Sequence, residues 1–143
     1  MVGISTRNRI GANHEAGGLE FTMALQSDVV PVGQPVNITL TVQNIGLTTI
    51  SREVSEPEFD FIVNNSYNDQ VYRWSFGQIF PAIAWILHFL PGETSTMTLS
   101  WPQTCQNTST GESVQVLPGQ YDIVGFCKWF GMQAGPVLVT IIS

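Results

Sequence analysis

Hydrophobic residues recur at every second position over several stretches of this chain. Val36, Ile38, Leu40 and Val42 alternate with Asn37, Thr39, Thr41 and Gln43, the period of a strand with one face in a core and the other in water. Leu19, Phe21, Met23 and Leu25 repeat the pattern, as do Phe59, Phe61 and Val63, then Met97, Leu99 and Trp101. Tyr121, Ile123, Gly125 and Cys127 follow, and Val137, Val139 and Ile141 end the chain in a last strand. Turn residues separate these runs: Pro31, Gly33 and Pro35, the polar stretch 64–69, Pro91-Gly92 and Pro118-Gly119. Val71-Tyr72-Arg73-Trp74-Ser75 returns antiparallel from the Phe59 strand as a hairpin.

Two stretches do not alternate. Residues 79–89 are apolar in both phases, so periodicity does not separate helix from buried strand; Pro81 and the Pro91-Gly92 turn favour a short or irregular strand over a helix of ordinary length. Residues 104–116 are polar and read as an exposed loop or a small hairpin. Seven to eight strands with turns between them, and no convincing helix, predict an all-β protein. The expected architecture is an immunoglobulin-like antiparallel β-sandwich. It occupies residues 19–143 as a single domain, and residues 1–18, with glycines at 3, 11, 17 and 18, read as a flexible leader or arm.

Composition narrows the function. Of 143 residues 11% are charged, and 5 Lys+Arg against 11 Asp+Glu give a net charge of −6, which argues against a nucleic-acid partner. No apolar run is long enough to span a bilayer as a helix. The two cysteines, Cys105 and Cys127, are expected to form a disulfide in an oxidising compartment, the alternative being two unpaired thiols. Asn37, Asn64 and Asn107 head the pattern of a glycosylation acceptor. In a chain so rich in Asn, Ser and Thr, fortuitous matches are the alternative.

Phe59-Asp60-Phe61, Tyr72-Arg73-Trp74-Ser75, Phe80, Pro91-Gly92-Glu93, Trp101 and Pro118-Gly119-Gln120-Tyr121 occur in an order that resembles the bacillar intracellular proteinase inhibitor family. The resemblance covers roughly residues 36–126, and Arg73-Trp74-Ser75 with the following Pro-Gly-Glu turn is its most specific part. It implies a compact β-sandwich and a capacity to bind proteinases. The shared positions look like framework, and no reactive-site residue carries over to this sequence. The leader, the 105–116 loop and both cysteines depart from what an intracellular inhibitor suggests.

Catalytic chemistry has little to stand on. His14 lies in the leader and His88 in the apolar run, and neither a Gly-x-Ser-x-Gly elbow nor a phosphate-binding glycine loop is present. No cofactor is expected. Cys127 and Met132 lack the following histidine that a copper site needs. Glu53, Glu56, Glu58 and Asp60, with Asp69, offer carboxylates for calcium without the spacing of a calcium loop. Trp85, Ile86, Leu87 and Phe89 are the best partner-binding surface, because a surface strand buries only one phase in its own core; cover by a neighbouring segment is the alternative.

The leading expectation is a non-enzymatic interaction module acting outside the cytoplasm or at the cell surface, with a protein or copies of itself as partner. Val2, Ile4 and Ile10 of the arm would add a strand to an adjacent copy. The alternative is a reversible inhibitor of a serine proteinase, cytoplasmic if the resemblance is literal. It would present residues 64–70 or 103–112 to the proteinase.

Overall fold

The structure, a computed structural model, describes residues 10–143. Alternation translates directly into buried and exposed faces. β2 (Leu19–Leu25) and β4 (Val36–Asn44) turn Phe21, Met23, Ile38, Leu40 and Val42 inward and their Thr, Gln and Asn neighbours outward. Together with β1 (Gly11–Ala16) and β9 (Thr94–Trp101) they make an antiparallel sheet in the order β1-β2-β4-β9.

The second sheet runs β3-β13-β12-β6-β7. It is built from β3 (Val29–Pro31), β6 (Phe59–Asn64), β7 (Gln70–Arg73), β12 (Gly119–Cys127) and β13 (Met132–Ile142). All its pairings are antiparallel except β3 with β13. Two ribbons complete the molecule: β5 (Ile50–Ser55) with β8 (Ala84–Phe89), and β10 (Thr104–Gln106) with β11 (Ser113–Gln115).

The core lies between the two sheets, with Phe21, Met23, Leu40, Phe59, Phe61, Trp101 and Ile123 in one continuous cluster. Phe21 stacks on Phe59 at 6.1 Å between centroids, and Trp101 meets Tyr121 edge-on at 5.4 Å. Gly125 of β12 faces Leu40 and Met23 of the opposite sheet. A Cβ there would lie 2.8 Å from Leu40 Cδ2 and 2.9 Å from Met23 Sδ, so a larger residue forces those side chains to shift.

The all-β sandwich is as expected, while the count of strands is higher: thirteen among the described residues. The additions are short or polar: β1, β3, β5 and the two strands of the 104–115 hairpin. Residues 11–16, expected within a flexible leader, instead form β1, paired with β2 from Gly11 to Ala16. That pairing satisfies backbone groups the sequence pattern alone does not account for. Of the arm residues thought able to donate a strand, Val2 and Ile4 lie outside the described residues, and Ile10 packs partly against the chain's own core.

Candidate functional site

The block Phe59-Asp60-Phe61 and Arg73-Trp74-Ser75 closes around one buried carboxylate. Asp60 is wholly buried. Its Oδ2 accepts hydrogen bonds from Arg73 Nη1 at 3.1 Å and Ser75 Oγ at 2.6 Å. Its Oδ1 accepts from the Phe61 and Ser75 amides at 2.8 and 3.0 Å. An unpaired buried charge is costly, and these four donors remove that cost while tying β6 to the end of β7. The most specific sequence element is thus a clamp within the framework.

Exposed chemistry lies at the end of the sandwich where β6 turns into β7. Asn65 organises the connecting turn: its Oδ1 accepts from the Tyr67 amide at 2.9 Å and the Asp69 amide at 3.0 Å, and its carbonyl accepts from the Asn68 amide at 2.9 Å. Asn68 takes the left-handed conformation, φ 66°, that Asn tolerates. The consequence is an ordered turn carrying Tyr67, whose side chain is 84% exposed.

The 104–115 hairpin stands beside it. Gln106 docks on β7 in the manner of a strand, accepting from the Arg73 amide at 2.9 Å and donating to the Arg73 carbonyl at 3.2 Å. Gln103, fully buried, fixes the hairpin base. It donates to the Pro31 and Gln34 carbonyls and accepts from the Gly33 amide and Gln115 Nε2. Asn107 caps the hairpin tip through the Ser109 and Thr110 amides.

Between turn and hairpin runs an open groove of about 470 Å³ walled by Tyr67, Val71, Cys105, Val114, Leu117 and Tyr121. Tyr121 Oη donates to the Leu117 carbonyl at 2.6 Å and so braces the groove wall. Burial, with the nearby Cys105 sulfur adding, raises the Tyr121 pKa and keeps this hydroxyl a donor. Leu117 is 78% exposed at the rim. The two segments considered for a proteinase-facing loop, 64–70 and 103–112, therefore share one end of the molecule.

Other expected sites are rearranged. Cys105 and Cys127 are both free thiols. Cys105 shares the groove with Tyr121, and Cys127 lies six residues further along β12, about 20 Å at 3.3 Å per residue. A disulfide needs Cα atoms within about 7 Å. Burial pushes the Cys127 thiol up to about 12, so it stays protonated.

The apolar run divides by phase. Phe89 is 2% exposed and packs on Phe130, and Leu87 is half-buried, whereas Ile86 faces outward. Trp85 meets Trp129 edge-on at 5.7 Å. Phe89 is therefore core, because the β5–β8 ribbon folds its inward phase back onto the sandwich. His88 Nδ1 is paired with Ser51 Oγ at 2.8 Å.

Asn37 and Asn107 use their amides locally, Asn37 donating to Gln26 Oε1 at 2.7 Å, and Asn64 sits at the end of β6. The acidic residues do not converge: Asp60 is committed to its clamp, and Glu58 Oε1 accepts from Ser95 Oγ. Among the described residues no three His, Cys, Asp or Glu side chains gather as metal ligands.

The family model for intracellular proteinase inhibitors matches residues 21–129, from β2 past the end of β12. The chain belongs to the intracellular proteinase inhibitor family. No curated protein matches the sequence. Among solved structures, the C-terminal domain of wzt is similar at TM-score 0.51 and 8% identity, over 93% of this chain and 78% of that one. A β-glucosidase from Erythrobacter marinus is similar at TM-score 0.51 and 12% identity, over 90% of this chain and 16% of the enzyme. A Listeria innocua β-glucosidase gives a TM-score of 0.49 at 14% identity, with this chain spanning 17% of its length. For the two at TM-score 0.51 the likeness, at such identities, is one of fold.

Sequence reasoning reached 64–70 and 103–112 as segments but not the individual roles of Asn65, Tyr67, Gln103 and Gln106, and it missed Leu117. A signal existed for the first two: Asn-Asn-Ser-Tyr-Asn-Asp is dense in side chains that cap their own backbone. Gln103 and Gln106 act by replacing backbone partners across the fold, which no local pattern announces.

Proposed function

We propose that this protein is a reversible proteinase inhibitor that docks with the end of the sandwich carrying the Tyr67 turn and the 104–115 hairpin. Family membership supports a proteinase as the partner class. The observation that favours this end is Tyr67 itself, a large aromatic 84% exposed on a turn already ordered by Asn65. A side chain held in place before contact loses little conformational freedom on binding, and tyrosine supplies much contact area with few rotors.

The turn backbone is closed by the Asn68-to-Asn65 hydrogen bond and is not extended. Such a turn does not lie in a proteinase cleft as a substrate strand does. The mode we propose is surface docking, with Tyr67 and Leu117 at the rim of the groove as anchors and the chain left uncleaved.

The extracytoplasmic reading loses the disulfide that supported it beside the sequons, and the family's description as intracellular favours action inside the cell. Titration of subtilisin-like and trypsin-like enzymes tests the proposal. Inhibition that reverses on dilution, with the inhibitor intact by mass, is expected; full proteinase activity at micromolar inhibitor contradicts it.

A further inference from the structure

Residues 74–92 contain no Asp, Glu, Lys or Arg, and the loop that opens this stretch shows its apolar side chains to solvent. Ile79 is 96% exposed and Ile83 65%, with Phe76 also exposed. Local bonding enforces this exposure. The Phe76 amide donates to the Arg73 carbonyl and the Gln78 amide to the Ser75 carbonyl, each at 3.1 Å, and Gln78 Nε2 donates to the Trp74 carbonyl at 2.7 Å. Phe80 packs back on Trp74 at 6.0 Å between centroids. Ile79 is thereby held outward between two anchored neighbours, Gln78 and Phe80. Apolar area kept in water by an ordered loop marks a contact surface.

We propose that the 76–83 loop inserts into the surface of a lipid bilayer, so that the chain binds membranes peripherally. Two observations select lipid as the occupant. The tip, Ile79-Phe80-Pro81-Ala82-Ile83, has no side chain able to donate or accept a hydrogen bond. A protein partner is recognised by apolar contact together with roughly one hydrogen bond per 100–200 Å², whereas acyl chains ask for none. The second observation is the order of chemistry away from the tip. Trp74 and Trp85 stand on its two legs, and all three Lys and Arg of the described residues border the segment: Arg73 precedes Trp74, Arg52 pairs with Leu87, and Lys128 shares a cleft with Ala84. Aliphatic tip, indole ring, then cation is the order met on leaving the acyl chains through the headgroup level to the phosphates.

Glu53 pairs with Ile86, and Glu56 lines the same cleft as Lys128, which offsets the pull of the cations toward an anionic leaflet. Insertion of apolar side chains therefore carries the binding, and neutral phosphatidylcholine suffices. Half of the protein should be bound at about 1 mM lipid, about tenfold weaker than a single myristoyl chain. This inference is independent of the proteinase reading, which uses the other end of β6.

Cosedimentation of the full chain with phosphatidylcholine vesicles, with and without about 30% phosphatidylserine and up to roughly 5 mM lipid, tests the proposal. The expected result is binding to both, changed less than about threefold by the anionic lipid or by salt. Ile79→Ser should weaken it at least about tenfold with the thermal midpoint unchanged, since this side chain lies in solvent. Ile79→Cys bearing an environment-sensitive dye, in a Cys105→Ser background, should shift its emission to the blue on vesicles and be quenched by brominated acyl chains. Absence of binding to either vesicle, or binding that needs phosphatidylserine and ignores Ile79→Ser, overturns the proposal. So does a chain that ignores both vesicles while Ile79→Ser breaks a dimer or weakens inhibition of a proteinase, for the loop then serves a second copy or that enzyme.

Discussion

Asp60 and Arg73 are joined at 3.1 Å, with the carboxylate wholly buried and the guanidinium reaching toward solvent. The asymmetry fixes what each substitution does. Asp60→Ala leaves Arg73 able to find water but deprives the Ser75 hydroxyl and two amides of their acceptor, and should cost about 3 kcal/mol. Arg73→Leu leaves Asp60 with its three other donors, and the partial exposure of Arg73 weakens the pair, so about 1–2 kcal/mol is expected. Urea unfolding of both variants should preserve that order.

Glu58 carries a second buried carboxyl, and it is poorly satisfied. Oε2 has no hydrogen-bond partner among the described residues, and burial first, with Glu56 assisting, raises its pKa above the usual 4.5 against the lowering effect of Ser95. A raised folded pKa means the native state holds the proton longer than the unfolded chain. The stabilising contribution is complete below the unfolded pKa and is lost as pH rises through the folded one. Glu58→Gln should abolish this part of the pH dependence, visible as a flatter urea midpoint as pH rises above the usual 4.5. A wild-type midpoint that rises over the same range in a Glu58-dependent manner would contradict the assignment.

The thiols should differ sharply in reactivity. Cys105 is half-buried at the groove, while Cys127 is fully buried with its pKa pushed up to about 12. Reactivity follows thiolate and access. An aromatic disulfide reagent should therefore titrate one thiol in the native protein and two after denaturation.

Gly125→Ala should destabilise by about 1–3 kcal/mol, because the added methyl meets Leu40 and Met23 from the opposite sheet. A combined Gly125→Ala and Leu40→Val should recover part of the loss in thermal denaturation.

Much of the sandwich is legible from alternation alone. Val36 to Asn44 is buried at every second residue along its whole length, and the phases of β2 and β12 follow equally well. β5 escapes notice because four of its six residues are exposed and its pairing with β8, not its own periodicity, makes it a strand. Cys105 and Cys127 look pairable by their loop and strand settings; distance along β12 is what separates them. Phe89 reads as a surface residue until β8 is seen to fold its inward phase onto Phe130. The groove was hidden for another reason. It is assembled from three segments, held by Gln103 and Gln106 contacts across about seventy and thirty-three positions of sequence.

Tyr67→Ala measured against an enzyme that the wild-type protein inhibits tests the docking account most directly. Tyr67 lies on an exposed turn and contributes little to the core, so the thermal midpoint should stay within about 2 °C. The account predicts that the inhibition constant rises by about thirtyfold or more, the loss of a central aromatic anchor. An unchanged inhibition constant in a folded Tyr67→Ala protein would contradict it.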